Sequence, residues 1–523
     1  MVVEMSYLLP RDVWILSFEY EGFAKAGGLG AAVARHARAL VSAGVKVMVL
    51  IPSHGLHVAD SAHEGSWNGH RIGVDGKTYP YHIGAESFTM DGVKLIVFRG
   101  LDRWTSQFLD EKEIYREAAE KMALFTRGVL EWTRNKQPPD IVHSHDWTAV
   151  LAAAALKTHF HFAGVTVPWV HTVHLVSSPS FPWHYASEKW CGLHSIYHKV
   201  PTHGNGYWSW TSDVWDSVGG NIDAFAAVES DLLTSVSRGY LDQLLARWPF
   251  VPSEKTGYIY NSTDWSLHDV VDYAAKQFGT VDRSKLRPLA IQTVKNHAEA
   301  VVGTLEKSKL LAVAHGRLVW QKGYDVLIQS VDYMDSSVGV LIMGLSAGDF
   351  GHESYLKTLA EQRPGRVMIT RGAISPMLMK SVLYSANVAV MPSRYEPFGI
   401  ASVEAQALGT PVVATNVPGL AETIKDIYFY DDGSGKLIGY EETLYLGMAV
   451  SSLAMLTEAA DTGKKEYLDK ISLEFIRNRF NALKRIRHNV VKWVDENFRE
   501  RNTLQMLLKC YDKARSIALK RIN

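Results

Sequence analysis

Residues 13–51 read VWILSFEYEGFAKAGGLGAAVARHARALVSAGVKVMVLI, and the order of patterns along them decides the fold class. Residues 13–20 form a short apolar run of the length of a buried strand. The turn Gly27-Gly28-Leu29-Gly30 follows. Residues 31–43 then carry Val33, Ala37, Leu40 and Val41 at helical spacing, Gly44 stands where a helix stops, and residues 45–51 are a second apolar run. Strand, glycine-rich turn, helix and strand make a βαβ unit, which implies a parallel sheet covered on both faces.

The alternation continues outward. Residues 94–98 are strand-like, 113–134 an amphipathic helix, and 141–143, 167–173 and 233–236 further strands. These assign residues 1–265 to a first Rossmann-like domain. Its pattern breaks over residues 175–225, which hold Trp183, Trp190, Trp208, Trp210 and Trp215, five of the 15 Trp in the chain. That stretch is too long for an ordinary connection and reads as an inserted lid or interface element. Strands at 311–314, 338–343, 367–370, 388–391 and 411–414 alternate with helices at 325–334, 355–362, 377–385 and 400–408, giving a second Rossmann-like domain over 266–470. Residues 471–523 read as helical and basic, with 13 Lys and Arg against 5 Asp and Glu. Such a charge suits a solvated face, an anionic partner or a subunit contact. Two doubly wound domains direct the carboxyl ends of their sheets toward one cleft, the place where such folds bind ligands.

Composition narrows the function. The 523 residues carry 55 Lys and Arg against 55 Asp and Glu, without the basic footprint of a nucleic-acid-binding protein. Cys191 and Cys510 exclude a disulfide framework and a Cys-rich metal site, and fit a reducing compartment. Residues 1–10 lack the pattern of a signal peptide, and no run reaches the roughly 18 apolar residues of a membrane helix. The expectation is a cytoplasmic protein with neither membrane nor nucleic acid as partner.

Three stretches carry candidate chemistry. In Lys25-Ala26-Gly27-Gly28-Leu29-Gly30, glycines let backbone amides approach a phosphate or sugar, and the helix that follows favours negative charge. In Gly316-Arg317-Leu318 and Gln321-Lys322-Gly323, a forked donor and a compact cation stand five residues apart, just after a strand. In residues 391–405, MPSRYEPFGIASVEA, a strand ends, a polar loop carries Glu396, and a helix starting near Gly399 carries Glu404; Val417-Pro418-Gly419-Leu420 again precedes a helix. A glutamate facing a sugar accepts two hydrogen bonds. Each stretch alone also fits a plain turn or a solvated surface.

Together they resemble one family. Glu396 followed eight residues later by Glu404 looks like the paired-glutamate motif of retaining GT-B glycosyltransferases. Lys25-x-Gly27-Gly28-Leu29 resembles the donor-binding motif of bacterial and archaeal glycogen (starch) synthases. So do His143-Ser-His145-Asp146-Trp147, His171-Thr-Val-His174, Arg317-Leu-x-x-Gln-Lys322-Gly323 and Pro364-Gly365-Arg366-Val367, all in the family's order. The resemblance implies a GT-B fold in which residues 471–523 pack back on the first domain.

It also implies roles. Lys25, Gly27 and Gly28 would line the donor glucose and phosphate. Arg317 and Lys322 would hold the diphosphate as the glycosidic bond breaks. His174 would contact the transferred sugar, Glu396 the glucose and reacting centre, and Glu404 the ribose. Asp146 would act on the acceptor side, while Gly399 and Gly419 would allow close approach of backbone to the donor. Glucose would pass from ADP-glucose or UDP-glucose, with retention, to the non-reducing end of an α-1,4-glucan. Both front-face substitution and a covalent intermediate are compatible with these residues. Fixed donors aimed at the leaving diphosphate are the largest kind of catalytic help, so no metal and no further cofactor is required. No Asp-x-Asp pair occurs in the chain. Zinc held by His143, His145, His171 and His174 is an alternative to sugar-binding or core roles for those rings.

The sequence departs from the family pattern at three places. Leu175 stands after His174 where Asn is usual, Asn261-Ser262-Thr263-Asp264 replaces an Asn-Gly-x-Asp turn, and residues 412–420 look more like the sucrose and trehalose-type enzymes. These keep open a small acceptor as the alternative. Trp208 and Trp210 are candidates for stacking on a glucan, with a hydrophobic cover or homo-oligomer interface as the other reading.

Overall fold

The computed structural model describes residues 7–201 and 206–521. Most of the 1–10 stretch read for a signal, and residues 202–205 of the Trp-rich stretch, lie outside the described residues. The chain divides into two compact units, one of Met1–Asn261 with Glu500–Asn523, the other of Ser262–Arg499.

In the first unit the strands are β1 (Asp12–Leu16), β2 (Lys46–Pro52), β3 (Ala62–Ile72), β4 (Thr78–Met90), β5 (Val93–Gly100), β6 (Ile141–His145), β7 (Trp169–Val173), β8 (Tyr197–Val200), β9 (Tyr207–Trp210), β10 (Leu232–Ser235) and β11 (Thr256–Tyr258). Nine of them form one sheet in the order β11-β10-β7-β6-β1-β2-β5-β4-β3. The run from β11 to β5 is parallel, and β4 and β3 extend it antiparallel. The order reverses at β1, which pairs with β2 on one side and β6 on the other, so the loops after β1 and β6 flank a switch point. Val13, Ile15, Leu16, Val49, Leu50 and Ile51 of β1 and β2 are fully buried, as expected of strands covered on both faces.

Two expectations need correction here. The helix expected over 113–134 is shorter, Ala118–Thr133, and Glu117 before it is left-handed at φ 50°. Residues 111–114 stay outside the helix, and their carbonyls serve another purpose. The buried Lys121 ammonium donates to the carbonyls of Glu111, Glu113 and Ile114 at 2.9–3.1 Å. The 175–225 stretch is also not one cover. Trp215 and Trp190 belong to the core of the unit, while β8 and β9 make a separate antiparallel ribbon.

In the second unit the strands are β12 (Ala300–Thr304), β13 (Leu310–Arg317), β14 (Val338–Leu345), β15 (Val367–Arg371), β16 (Val388–Met391), β17 (Val412–Thr415) and β18 (Gly435–Ile438). Their order is β12-β15-β14-β13-β16-β17-β18, all parallel except β12. The order reverses between β13 and β16, which makes their carboxyl ends the second switch point. Among the described residues, one helix, Thr443–Thr462, is long and apolar enough to cross a membrane by length and composition, although it is not an unbroken apolar run. Leu446, Val450, Leu453 and Leu456 on it are fully buried in the core of this unit.

The C-terminal segment expected to act as one piece is split. Residues up to Arg499 group with the second unit, and Glu500–Asn523 with the first. The helix Glu500–Lys520 earns its place there through Leu507, Tyr511 and Ala514, all fully buried, and through a 2.7 Å bond from Lys513 to the Thr256 carbonyl.

Candidate functional site

At the switch point of the first unit, three adjacent strands end in candidate residues: β1 leads to Lys25, Gly27 and Gly28, β6 to Asp146, and β7 to His174. The helix Gly28–Ser42 starts at Gly27 with no side-chain cap and no acidic residue in its first turn. A side chain at Gly27 or Gly28 would meet nothing within 4 Å, so both lie against open space. Lys25 pairs with Glu21 at 2.5 Å. A cleft of about 830 Å³ opens beside this loop, walled by Lys25, Ala26, His54, Lys112, Tyr115 and Arg116 among others.

Asp146 is nearly buried and sits at φ 56°, a left-handed value that is costly for a non-glycine residue. Its Oδ1 accepts from the backbone amides of His174, at 2.6 Å, and Leu175, at 3.3 Å, so Asp146 shapes the turn that carries His174. Burial pushes its pKa well above the ordinary carboxylate range, with the nearby Asp223 and Glu19 acting in the same direction. Asp223 was not singled out from sequence. It accepts from the amides of Ser177 and Ser178 at 3.3 and 3.1 Å, and burial raises its pKa as well.

His174 bonds through Nε2 to Nδ1 of His145 at 3.0 Å. The His145 ring lies 4.2 Å from that of His143, which bonds Tyr511 at 3.0 Å and Thr172 at 2.7 Å. Ser144 bonds His171 at 2.8 Å. Burial lowers the pKa of His36, His171 and His174 to about 3 and holds His143 and His145 well below 6.5, so all five rings are neutral at pH 7. Among the described residues, no three His, Cys, Asp or Glu side chains are grouped to hold a metal ion.

The switch point of the second unit gathers the other candidates. Arg317 ends β13 with an exposed guanidinium. Lys322 follows on the next loop, and its Nζ lies 2.5 Å from Glu396 Oε2, which also accepts from Ser393 at 3.3 Å. The loop holding Glu396 is braced by Arg394, whose guanidinium grips Asp325 through two bonds of 2.8 and 2.7 Å and donates to the Trp320 carbonyl at 2.8 Å. Gln321 donates to the Tyr395 carbonyl at 2.8 Å. The Arg317 and Lys322 loops are thus tied to the Glu396 loop. Burial raises the Tyr324 phenol pKa, with Glu396 adding to the rise and Arg317 opposing it, so this hydroxyl stays neutral.

Gly399 and Gly419 are required by packing. A Cβ at Gly399, where φ is 92°, would lie 2.5 Å from Leu420, and one at Gly419 would lie 2.3 Å from the Phe398 amide. The Gly419 amide donates to the Glu396 carbonyl at 3.0 Å, fastening the two loops to each other. Glu404 lies half-buried on the helix Ile400–Ala407.

Trp208 and Trp210 are not gathered with these residues. They are 58% and 48% exposed on β9, with Tyr197 of β8 stacked on Trp208 at 5.5 Å and tilted against Trp210 at 5.5 Å. The other face of the ribbon is anchored inward by His198, which bonds buried Glu229 at 2.9 Å, itself paired with Lys157 at 2.6 Å.

Comparison with known proteins agrees with this architecture. Residues 12–249 match the starch synthase catalytic domain, and residues 298–434 match glycosyl transferases group 1. A glycogen synthase of Desulfitobacterium hafniense is 25% identical over 483 residues, 89% of this chain and 96% of that protein. A glycogen synthase of Synechocystis is 24% identical over 82% of this chain and 83% of its own length. Among solved structures, the catalytic domain of starch synthase IV from Arabidopsis thaliana, bound to ADP and acarbose, superposes with a TM-score of 0.68 at 18% identity, over 97% of this chain and 99% of that one. Sucrose-phosphate synthase from Thermosynechococcus elongatus does so with a TM-score of 0.57 at 15% identity, over 96% and 98%. With a starch synthase catalytic domain followed by a group 1 domain, the chain belongs to the glycogen and starch synthase family of GT-B glycosyltransferases.

Proposed function

We propose that this glycosyltransferase is a glycogen synthase, moving glucose with retention from a nucleotide-glucose to the non-reducing end of an α-1,4-glucan. The observation that carries the reading is the tied pair Lys322–Glu396 beside exposed Arg317, at the switch point of a sheet whose fold is that of nucleotide-sugar enzymes. As the glycosidic bond breaks, negative charge grows on the leaving diphosphate and positive character on the anomeric carbon. Arg317 and Lys322 meet the first, and the Glu396 carboxylate meets the second. Because Lys322 and Glu396 hold each other beforehand, little reorganisation is needed when the charges develop. Glu404 takes the ribose. In the first unit, Lys25 and the open backbone at Gly27 and Gly28 face the donor glucose and phosphate, neutral His174 hydrogen-bonds the transferred sugar, and Asp146 acts toward the acceptor.

ADP-glucose is favoured as donor by the likeness to a starch synthase solved with ADP. UDP-glucose is the other candidate, since the Anabaena protein HepE, solved with UDP and glucose, shares the fold at a TM-score of 0.52. The second reading, a small sugar acceptor, is favoured by the likeness of residues 412–420 to sucrose and trehalose-type enzymes and by the sucrose-phosphate synthase superposition. Trp208, Trp210 and Tyr197 form a stacking platform for a glucan chain. Glu396→Ala should lower kcat by about a hundredfold or more in a folded protein. Near-normal turnover would remove its role.

A further inference from the structure

One buried carboxylate ties together two walls of the cleft in the first unit. Glu19, 2% exposed, lies just past β1. Its Oε2 accepts from the amides of Ala26 and Gly27, both at 2.8 Å, and its Oε1 accepts from the Tyr115 hydroxyl at 2.5 Å. The loop between curls tightly around it: Tyr20 and Ala24 exchange backbone bonds, and the Glu21 amide donates to the Gly30 carbonyl at 3.0 Å. A Cβ at Gly30 would stand 3.3 Å from Glu19 Cβ, from the Glu21 amide and from Lys25 Cγ, so a side chain there would press on the curl. The segment leading to Tyr115 is held by the buried Lys121, which collects the carbonyls of residues 111, 113 and 114.

Burying a carboxylate is costly unless its oxygens are fully bonded. Ala26 is exposed, and its amide would be satisfied by water without Glu19. The carboxylate therefore gives the loop one conformation, where solvent would leave many. The cleft beside the loop is walled by Lys25 and Ala26 on one side and Tyr115 on the other.

We propose that Glu19 is a positioning residue for the glycine-rich loop, with Tyr115 acting through it, so that Lys25 and the backbone at Gly27 and Gly28 are held ready for the transferred sugar. This rests on the reading of that loop as part of the donor site. A misplacement of about 1 Å in a positioning element costs on the order of a hundredfold in rate, without a matching loss of binding. Glu19→Gln keeps the size of the side chain but replaces one acceptor oxygen by a donor NH2. It should lower kcat by about 30- to 100-fold and change the nucleotide-glucose KM by less than about threefold. Tyr115→Phe should lower kcat by about three- to tenfold.

The deciding test is the double variant. If Tyr115 acts through Glu19, the double variant turns over about as fast as Glu19→Gln alone. Effects that multiply in the double variant, or a Glu19→Gln kcat within twofold of the parent, overturn the proposal. Hydrogen exchange of residues 22–29 reads the same device without activity. It should quicken in Tyr115→Phe even if Glu19→Gln does not fold, and unchanged exchange overturns the proposal. Full turnover by Lys25→Ala would instead overturn the assignment of the loop to the donor site.

Discussion

The two switch points are built by opposite means. In the first unit the site is assembled from groups kept neutral or fastened to backbone: five uncharged histidines, and the carboxylates of Asp146 and Glu19 each turned onto two main-chain amides. In the second, it is assembled from ion pairs, Lys322 with Glu396 and Arg394 with Asp325. The difference matches the chemistry proposed for each. A sugar with many hydroxyls needs fixed donors and acceptors of low charge. A departing diphosphate needs cations held in place, since an ion pair in a part-buried site loses less to reorganisation than free side chains in water.

Breaking the charged half should have the largest effect. Lys322→Ala removes a cation from the diphosphate and leaves Glu396 without its partner, so kcat should fall about 10²- to 10³-fold, measured by nucleotide release with saturating acceptor. The contrast predicts a smaller loss, about tenfold, for His174→Ala, where one neutral hydrogen bond goes. Arg394→Lys comes next. It loses the forked grip on Asp325 and should destabilise the protein by about 1–3 kcal/mol, read as a lower denaturant midpoint, with turnover falling because the Glu396 loop loosens.

Acid should tell the halves apart. The first unit's histidines titrate near 6.5 when unfolded, but burial lowers His36, His171 and His174 to about 3 when folded. Below pH 6.5 the unfolded chain therefore binds more protons, and stability falls as pH falls. Each such ring costs at most about 1.4 kcal/mol per pH unit. Asp146 and Asp223, whose raised pKa values favour the folded state in acid, offset part of this. Thermal melts should be level from pH 7.5 to 6.5 and drop by pH 5.5, with exchange in the first unit quickening first. A level profile to pH 5.5 would contradict the neutral-histidine account. The smallest effect is expected at Trp208→Ala with Trp210→Ala, a severalfold rise in glucan KM with melting and donor KM unchanged. Unchanged glucan kinetics would reject the stacking platform.

Much of the fold was legible because parallel strands covered on both faces are short apolar runs. Residues 388–391, for instance, read as the strand Val388–Met391. The antiparallel edge β3–β4 was not, since its exposed faces interrupt the apolar pattern. The turn that joins β4 to β5 did leave a signal, Asp91-Gly92, where both residues have positive φ, 50° and 77°, as a tight hairpin turn requires. In the second unit, the capping residues Ser266 and Asp282 mark two helices, Leu267–Phe278 and Arg283–His297, of which the second lacks a clear apolar stripe. The family resemblance pointed to Lys25, Asp146, His174, Arg317, Lys322 and Glu396, and in the structure the first three follow strands that end at one switch point and the last three follow strands that end at the other. The supports of these residues were invisible because they come from distant segments: Asp325 for the Glu396 loop, Tyr511 for His143, Tyr115 for Glu19. Glu19 left one local trace, a carboxylate within an otherwise apolar strand run.

The central claim is transfer of glucose to a glucan, and incorporation of label tests it most directly. The protein would be incubated with ADP-glucose or UDP-glucose labelled in the sugar, together with glycogen, and separately with maltose, glucose or a sugar phosphate. Label in glycogen that β-amylase releases as maltose would mean α-1,4 addition at non-reducing ends, the result predicted here. Label confined to a small-sugar product, with none in glycogen, would contradict the assignment as a glycogen synthase.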